Sequence, residues 1–66
     1  MEVKINDKPV RLPDGATLAD ALAAAQAPAT GIATALNGTV VTSAARATTK
    51  LSDGDTVLII KAFYGG

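Results

Sequence analysis

The sequence of 66 residues predicts a single α+β domain with one main helix and five strands, in the order β-β-α-β-β-β. Three observations support this prediction. Apolar and charged residues alternate with a period of two at the start of the chain, which is typical of a half-buried strand. One central stretch repeats its apolar residues at helical spacing. The most apolar stretch, near the C-terminus, is rich in the β-branched residues that favour strands.

The first two strands are predicted to form a hairpin. Alternation in residues 1–5 predicts the first strand, and alternation around residues 10–12 predicts the second. Residues 6–7, Asn-Asp, tolerate the positive φ angles of a turn. Pro9 lacks an N–H group, which places it at the start or the outer edge of the second strand. The Pro-Asp-Gly turn at residues 13–15 ends the hairpin.

The helix is predicted to begin after Thr17. Thr17 followed three residues later by Asp20 is a variant of the capping box, and an acidic group suits the positive end of a helix. Pro28 is expected to end the helix, because the residue before a proline disfavours helical geometry. Four apolar residues share one face of this helix: Leu18, Ala21, Leu22 and Ala25.

Three further strands are predicted in the second half of the chain. Asn37-Gly38 is the sequence of a tight turn and joins the first two of them. Residues 42–50 have no clear period and predict a loop with at most one helical turn. A Ser-Asp-Gly-Asp turn at residues 52–55 precedes the last strand. The three strands are expected at residues 32–36, 40–41 and 56–63.

Composition excludes several classes of function. Six basic residues balance six acidic ones, so a nucleic-acid partner, which requires a basic surface, is not expected. The chain has no cysteine and no histidine, which excludes disulfides, cysteine-ligated metals and the usual general base. No apolar stretch approaches the roughly 20 residues that span a bilayer, and no signal peptide is recognisable. A cytoplasmic protein without a membrane partner is therefore expected.

Conventional patterns for an active site are missing from the sequence. The glycines are too scattered for a phosphate-binding loop. Asp53 and Asp55 are better explained as part of a turn than as metal ligands, so no metal site is predicted. The basic residues are dispersed along the chain, and we expect them on the solvated surface: Arg11, Arg46 and the lysines.

The C-terminus is the one feature that suggests chemistry. Gly65 and Gly66 follow a strongly apolar strand almost directly. Glycine has no Cβ, so such a tail can pass through a narrow channel and bring its carboxylate to a partner's active site. ATP-dependent adenylation would activate this carboxylate for attack by a sulfur nucleophile. A frayed end is the alternative. We expect one domain, residues 1–66, with residues 64–66 as a flexible tail.

The order of the elements and the terminal Gly-Gly together resemble the ubiquitin-like β-grasp sulfur carriers, most closely the ThiS-like carriers of thiamine (thiazole) biosynthesis. Members of that family often carry Pro-Arg after the Val-Val pair and a tryptophan a few residues later. Here Thr42, Ser43 and Arg46 occupy those positions. The resemblance covers the whole chain, with landmarks at residues 1–6, 12–18, 35–38, 51–55 and 65–66.

The resemblance implies a mixed sheet in which the first and last strands are parallel neighbours, with the helix packed on one face. It also implies that the last strand, apolar on both faces, leaves apolar side chains uncovered, and such patches usually mark interaction sites. The register of ubiquitin places Leu58 and Ile60 outside, and Phe63 is assigned to the same partner-binding surface. Burial in a homodimer or under the preceding loop is the alternative. The expected core residues are Val3, Ile5, Leu18, Leu22, Leu36, Val57 and Ile59.

The resemblance implies a carrier and not an enzyme. Gly66 would be adenylated by a ubiquitin-activating-like enzyme (ThiF-like), converted to a thiocarboxylate and used as sulfur donor by a thiazole synthase (ThiG-like). Tyr64 and Gly65 would enter the partner's active site. The carrier itself would bind no cofactor, since the activating partner uses the ATP and magnesium. The alternatives are the small subunit of molybdopterin synthase, a ubiquitin-like protein modifier and a scaffold without tail chemistry.

Overall fold

The computed structural model describes residues 1–28 and 30–61 of the chain. Its elements follow the predicted β-β-α-β-β-β order, with a short 3₁₀ turn at Ser43–Ala45 inside the predicted loop. No helix in these two ranges has the length and apolar character needed to cross a membrane. The elements are β1 Glu2–Ile5, β2 Lys8–Arg11, α1 Leu18–Ala24, β3 Ile32–Leu36, β4 Thr39–Val41 and β5 Thr56–Lys61.

The five strands form one mixed sheet in the order β2-β1-β5-β3-β4. β1 and β5 are parallel neighbours at its centre, and the other pairs are antiparallel. This arrangement confirms the β-grasp topology that the resemblance implied. Pro9 lies in β2, an edge strand, as its missing N–H group predicts.

Both hairpins turn through two residues with positive φ. Asn6 and Asp7 have φ angles of 50° and 68°, and Asn37 and Gly38 have 50° and 86°. Turns of this kind match the right-handed twist of the strands they connect. The local sequence therefore fixes both hairpin registers.

The helix begins where the sequence predicts, but it ends earlier than predicted. The Asp20 N–H donates to Thr17 Oγ1 at 3.3 Å, and the Thr17 N–H donates to Asp20 Oδ2 at 2.9 Å, which completes the capping box. At the other end, α1 stops at Ala24, well before Pro28. Gln26 adopts a φ of 56° and reverses the chain, so the expectation that Pro28 ends the helix was wrong.

The core lies between α1 and one face of the sheet. Five of the seven predicted core residues are buried there, while Leu36 and Ile59 are half-buried and pack against them. Ala25, expected on the buried face of the helix, is exposed because the helix has already ended. Three buried residues that lie in loops were not among the predicted core residues: Leu12, Ala16 and Leu51.

Arg46 is part of this interior, so its predicted place on the solvated surface was wrong. It is only 7% exposed. Its Nε donates to Thr34 Oγ1 at 3.2 Å, and its Nη2 donates to the Ile32 carbonyl at 3.0 Å. The aliphatic stem can be buried because the guanidinium finds hydrogen-bond acceptors there.

Candidate functional site

The candidate site is centred on β5, because the predicted reactive residues follow this strand in the chain. β5 is described as far as Lys61. The predicted site residues Phe63, Tyr64, Gly65 and Gly66 lie outside the described residues. What the structure gives is therefore the strand that carries the tail and the surfaces around it.

β5 occupies the centre of the sheet and is paired on both sides. Its register with β3 extends from Leu36 opposite Val57 to Ile32 opposite Lys61. On its other side, the parallel register with β1 ends where Ile5 lies opposite Val57. The C-terminal segment thus continues from a central strand, and that strand is firmly paired to β3 as far as its last described residue.

The face of the sheet opposite the helix carries an apolar surface. Leu58 and Ile60 are 46% and 50% exposed, and Val40 is 74% exposed. Ala35 lies between Leu58 and Val40 in the strand register, and Ala33 lies opposite Ile60. We call these five residues the outer strip. Its two members on β5, Leu58 and Ile60, are the two that the sequence assigned to the outside.

The outer strip has a charged border. Glu2 and Lys4 of β1 are exposed, and Arg11 of β2 lies directly opposite Glu2. An apolar centre with a polar rim is the usual anatomy of a protein–protein interface. Val40 was not predicted to face outward, because nothing in the pair Val40-Val41 shows which of the two side chains does so.

The carboxylates of the acidic turn before β5 accept hydrogen bonds that stabilise the fold. Asp53 Oδ1 accepts from the Glu2 N–H at 2.7 Å, and Asp55 Oδ2 accepts from the Ser52 N–H at 2.7 Å. Asp55 Oδ1 also accepts from Asn37 Nδ2 at 3.0 Å. Among residues 1–28 and 30–61, no group of three or more histidine, cysteine or acidic residues could bind a metal ion.

Two asparagines contact the main chain of β5 and were predicted only as turn residues. Asn37 Oδ1 accepts from the Thr56 N–H at 2.9 Å, at the beginning of the strand. Asn6 Oδ1 accepts from the Ile59 N–H at 2.8 Å, and Asn6 Nδ2 donates to the Ile59 carbonyl at 3.4 Å. These contacts join residues far apart in the sequence, so no local pattern could have indicated them.

Comparisons with known proteins agree with this architecture. The sequence model of the ThiS family matches residues 2–66. The crystal structure of a thiamine biosynthesis protein (ThiS) from Geobacter metallireducens is similar at a TM-score of 0.84, with 29% sequence identity and 100% of both chains covered. The solution NMR structure of a thiamine biosynthesis protein from the same organism is similar at a TM-score of 0.75, with 32% identity over 100% of this chain and 87% of that one. No curated protein sequence matches the chain.

Proposed function

The chain belongs to the ThiS family of small sulfur carriers in thiamine biosynthesis, and we propose that it carries sulfur on the C-terminal carboxylate of Gly66. The single observation that carries this proposal is the family match, which extends through residue 66 and therefore includes the terminal Gly-Gly. The two carboxylates in the turn that precedes β5 support this choice, because they already accept hydrogen bonds within the fold. Asp53 and Asp55 are engaged in the turn that precedes the strand.

The reaction begins with activation of a poor electrophile. A carboxylate oxygen of Gly66 attacks the α-phosphorus of ATP, pyrophosphate leaves, and an acyl-adenylate forms. A nucleophile with sulfur in the oxidation state of sulfide then attacks the acyl carbon. AMP leaves, and a thiocarboxylate is produced. ATP and magnesium belong to the activating partner, a ThiF-like adenylating enzyme, so the carrier contributes a substrate group and catalyses no step.

The same tail then delivers sulfur to a second partner, a ThiG-like thiazole synthase. Tyr64 and Gly65 occupy the entrance of each partner's active site while Gly66 reacts. Because Gly65 has no Cβ, a channel shaped for the main chain alone can admit it. The outer strip, extended by Phe63, provides the docking surface, since an exposed apolar patch of this kind usually marks an interaction site.

Adenylation is tested most directly by ATP–pyrophosphate exchange with the adenylating enzyme. We expect exchange to require the carrier and to be lost on deletion of Gly66, on addition of one residue after it, or in Gly65→Val. Ala44→Val, an exposed change in the 3₁₀ turn, is the matched control and should react like the wild type. Full exchange with the Gly66 deletion would overturn the proposal, and lysine-linked conjugates would identify a protein modifier instead.

A further inference from the structure

β5 continues beyond the point where β1 stops supporting it. The last pair in the parallel register is Ile5 opposite Val57, and β5 then continues to Lys61. On the β3 side, pairing persists to Lys61. On the β1 side, no strand of the described ranges pairs with the end of β5, because the chain leaves β1 after Ile5 and forms the turn to β2.

Asn6 makes the hydrogen bonds that a neighbouring strand would make on this edge of β5. Its N–H donates to the Val57 carbonyl at 3.0 Å, which is the last main-chain bond between β1 and β5. Its side chain then bonds both main-chain groups of Ile59, accepting from the N–H at 2.8 Å and donating to the carbonyl at 3.4 Å. A carboxamide offers the same acceptor and donor as a peptide group. It therefore extends the ladder by one further pair.

Beyond Asn6, no strand of residues 1–28 and 30–61 pairs with the same edge of β5, and a hollow lies beside it. A hollow of about 290 Å³ separates the end of β5 from the end of the helix, and Lys8, Gln26, Ile59 and Lys61 are among its lining residues. Asn6 is thus the last described contact on this edge before the C-terminal segment begins.

We propose that Asn6 is a positioning residue for the carrier reaction, because it sets the direction in which the chain leaves β5 and hence where the Gly66 carboxylate lies in a partner's active site. This inference rests on the proposed function. Asn37 provides the matched comparison, since it has the same φ of 50° and bonds the main chain of β5 at its opposite end, at Thr56.

The first test measures the strand itself. Glycine adopts positive φ without steric cost, so Asn6→Gly and Asn37→Gly keep both turns and remove only the side-chain bonds. Amide hydrogen exchange at Ile59 should rise about tenfold in Asn6→Gly and stay unchanged in Asn37→Gly. Asp7→Gly alters the same turn without touching β5 and should leave Ile59 unchanged. Unchanged exchange at Ile59 in Asn6→Gly would overturn the proposal.

The second test measures the reaction. With the adenylating enzyme, ATP and a sulfur donor, Asn6→Gly should lower kcat for thiocarboxylate formation about tenfold, because small displacements of a reacting group are costly. KM should stay within about twofold, because the docking surface is intact. Asn6→Asp, which keeps the acceptor for the Ile59 N–H, should recover part of kcat. Asn37→Gly should retain the wild-type kcat.

Two results of this assay would overturn the positioning role. One is a wild-type kcat in Asn6→Gly, and the other is an equal loss in Asn6→Gly and Asn37→Gly, which would indicate a general loss of stability. A wild-type protein that gains no sulfur beside an active control carrier would instead overturn the proposed function. Exchange at Ile59 would still decide whether Asn6 fixes the end of β5.

Discussion

Gln26 occupies a backbone position at which glycine is the usual residue. It follows the last turn of α1 with a φ of 56°, while the N–H of Ala27 donates to the Leu22 carbonyl at 2.9 Å. This is the hydrogen bond of a Schellman-type helix end. A residue with a Cβ pays a steric cost of about 1–2 kcal/mol in this region. The helix end therefore contains local strain that a substitution can remove.

Gln26→Gly should stabilise the protein by about 1 kcal/mol, since the relief of strain exceeds the entropy that glycine loses on folding. Denaturant unfolding monitored by circular dichroism measures this change. Gln26→Ala is the control, because it removes the side chain and keeps the Cβ, and it should show no gain. A lower free energy of unfolding for Gln26→Gly than for the wild type would contradict the interpretation.

Arg46 combines apolar packing with hydrogen bonding inside the fold. Its Nε and Nη2 donate to Thr34 and to the Ile32 carbonyl, and its stem borders a hollow of about 230 Å³ beside Leu22. A long side chain, apolar for most of its length, is thus suited to the space.

Arg46→Met should destabilise the protein by about 1–3 kcal/mol, because it keeps the stem and leaves the Ile32 carbonyl without its donor. Arg11→Met is the matched control on the exposed edge strand, where the expected change is about 0.5 kcal/mol or less. Thermal and denaturant unfolding of both variants give the comparison. Equal stability of the two would show that the buried contacts contribute nothing net.

At the scale of the elements, the two faces of β5 differ in their exposure to solvent. Val57 is fully buried against the helix, whereas Leu58 and Ile60 belong to the exposed outer strip. The inner face stabilises the fold, and we expect the outer face to contact a partner. Substitutions on the outer face should therefore change binding without changing folding.

Leu58→Asp and Ile60→Asp should each weaken binding of the adenylating enzyme about tenfold or more, because a carboxylate would be buried in an apolar contact. Both variants should still unfold cooperatively. Thr56→Asp is the control, since Thr56 is exposed on the same strand and lies outside the outer strip. Calorimetric titration gives the affinities. Unchanged Kd for both variants would contradict the assignment, and loss of a homodimer in sedimentation would show that the strip serves self-association.

Elements held by contacts between neighbouring residues could be predicted from the sequence. Contacts between residues far apart in the chain could not. Thr17 and Asp20 cap the helix through contacts three residues apart, so the sequence alone indicates them. Asn37-Gly38 likewise encodes its own turn. Arg46 and Asn6 acquire their contacts only when distant segments meet, and neither has a periodic signal. The two faces of β5 could therefore be predicted from the sequence, whereas the contact of Asn6 with this strand could not.

At the scale of the molecule, the two ends of the described chain depend on each other. The Glu2 N–H donates to Asp53 Oδ1 at 2.7 Å, and the Gly54 N–H donates to the Glu2 carbonyl at 2.8 Å. The Lys4 N–H donates to the Asp55 carbonyl at 2.9 Å. The first strand and the turn that precedes β5 are therefore joined by these three hydrogen bonds, and we expect the beginning of β5 to lose order when β1 is displaced.

We propose that one group of this molecule reacts, the α-carboxylate of Gly66. The most direct test incubates the intact protein with ATP, magnesium, the adenylating enzyme and a sulfur donor, and measures its mass before and after. We predict a gain equal to one exchange of oxygen for sulfur, located on Gly66 by fragmentation. An unchanged mass, with the same enzyme active on its own carrier, or a gain located on any other residue would contradict the account.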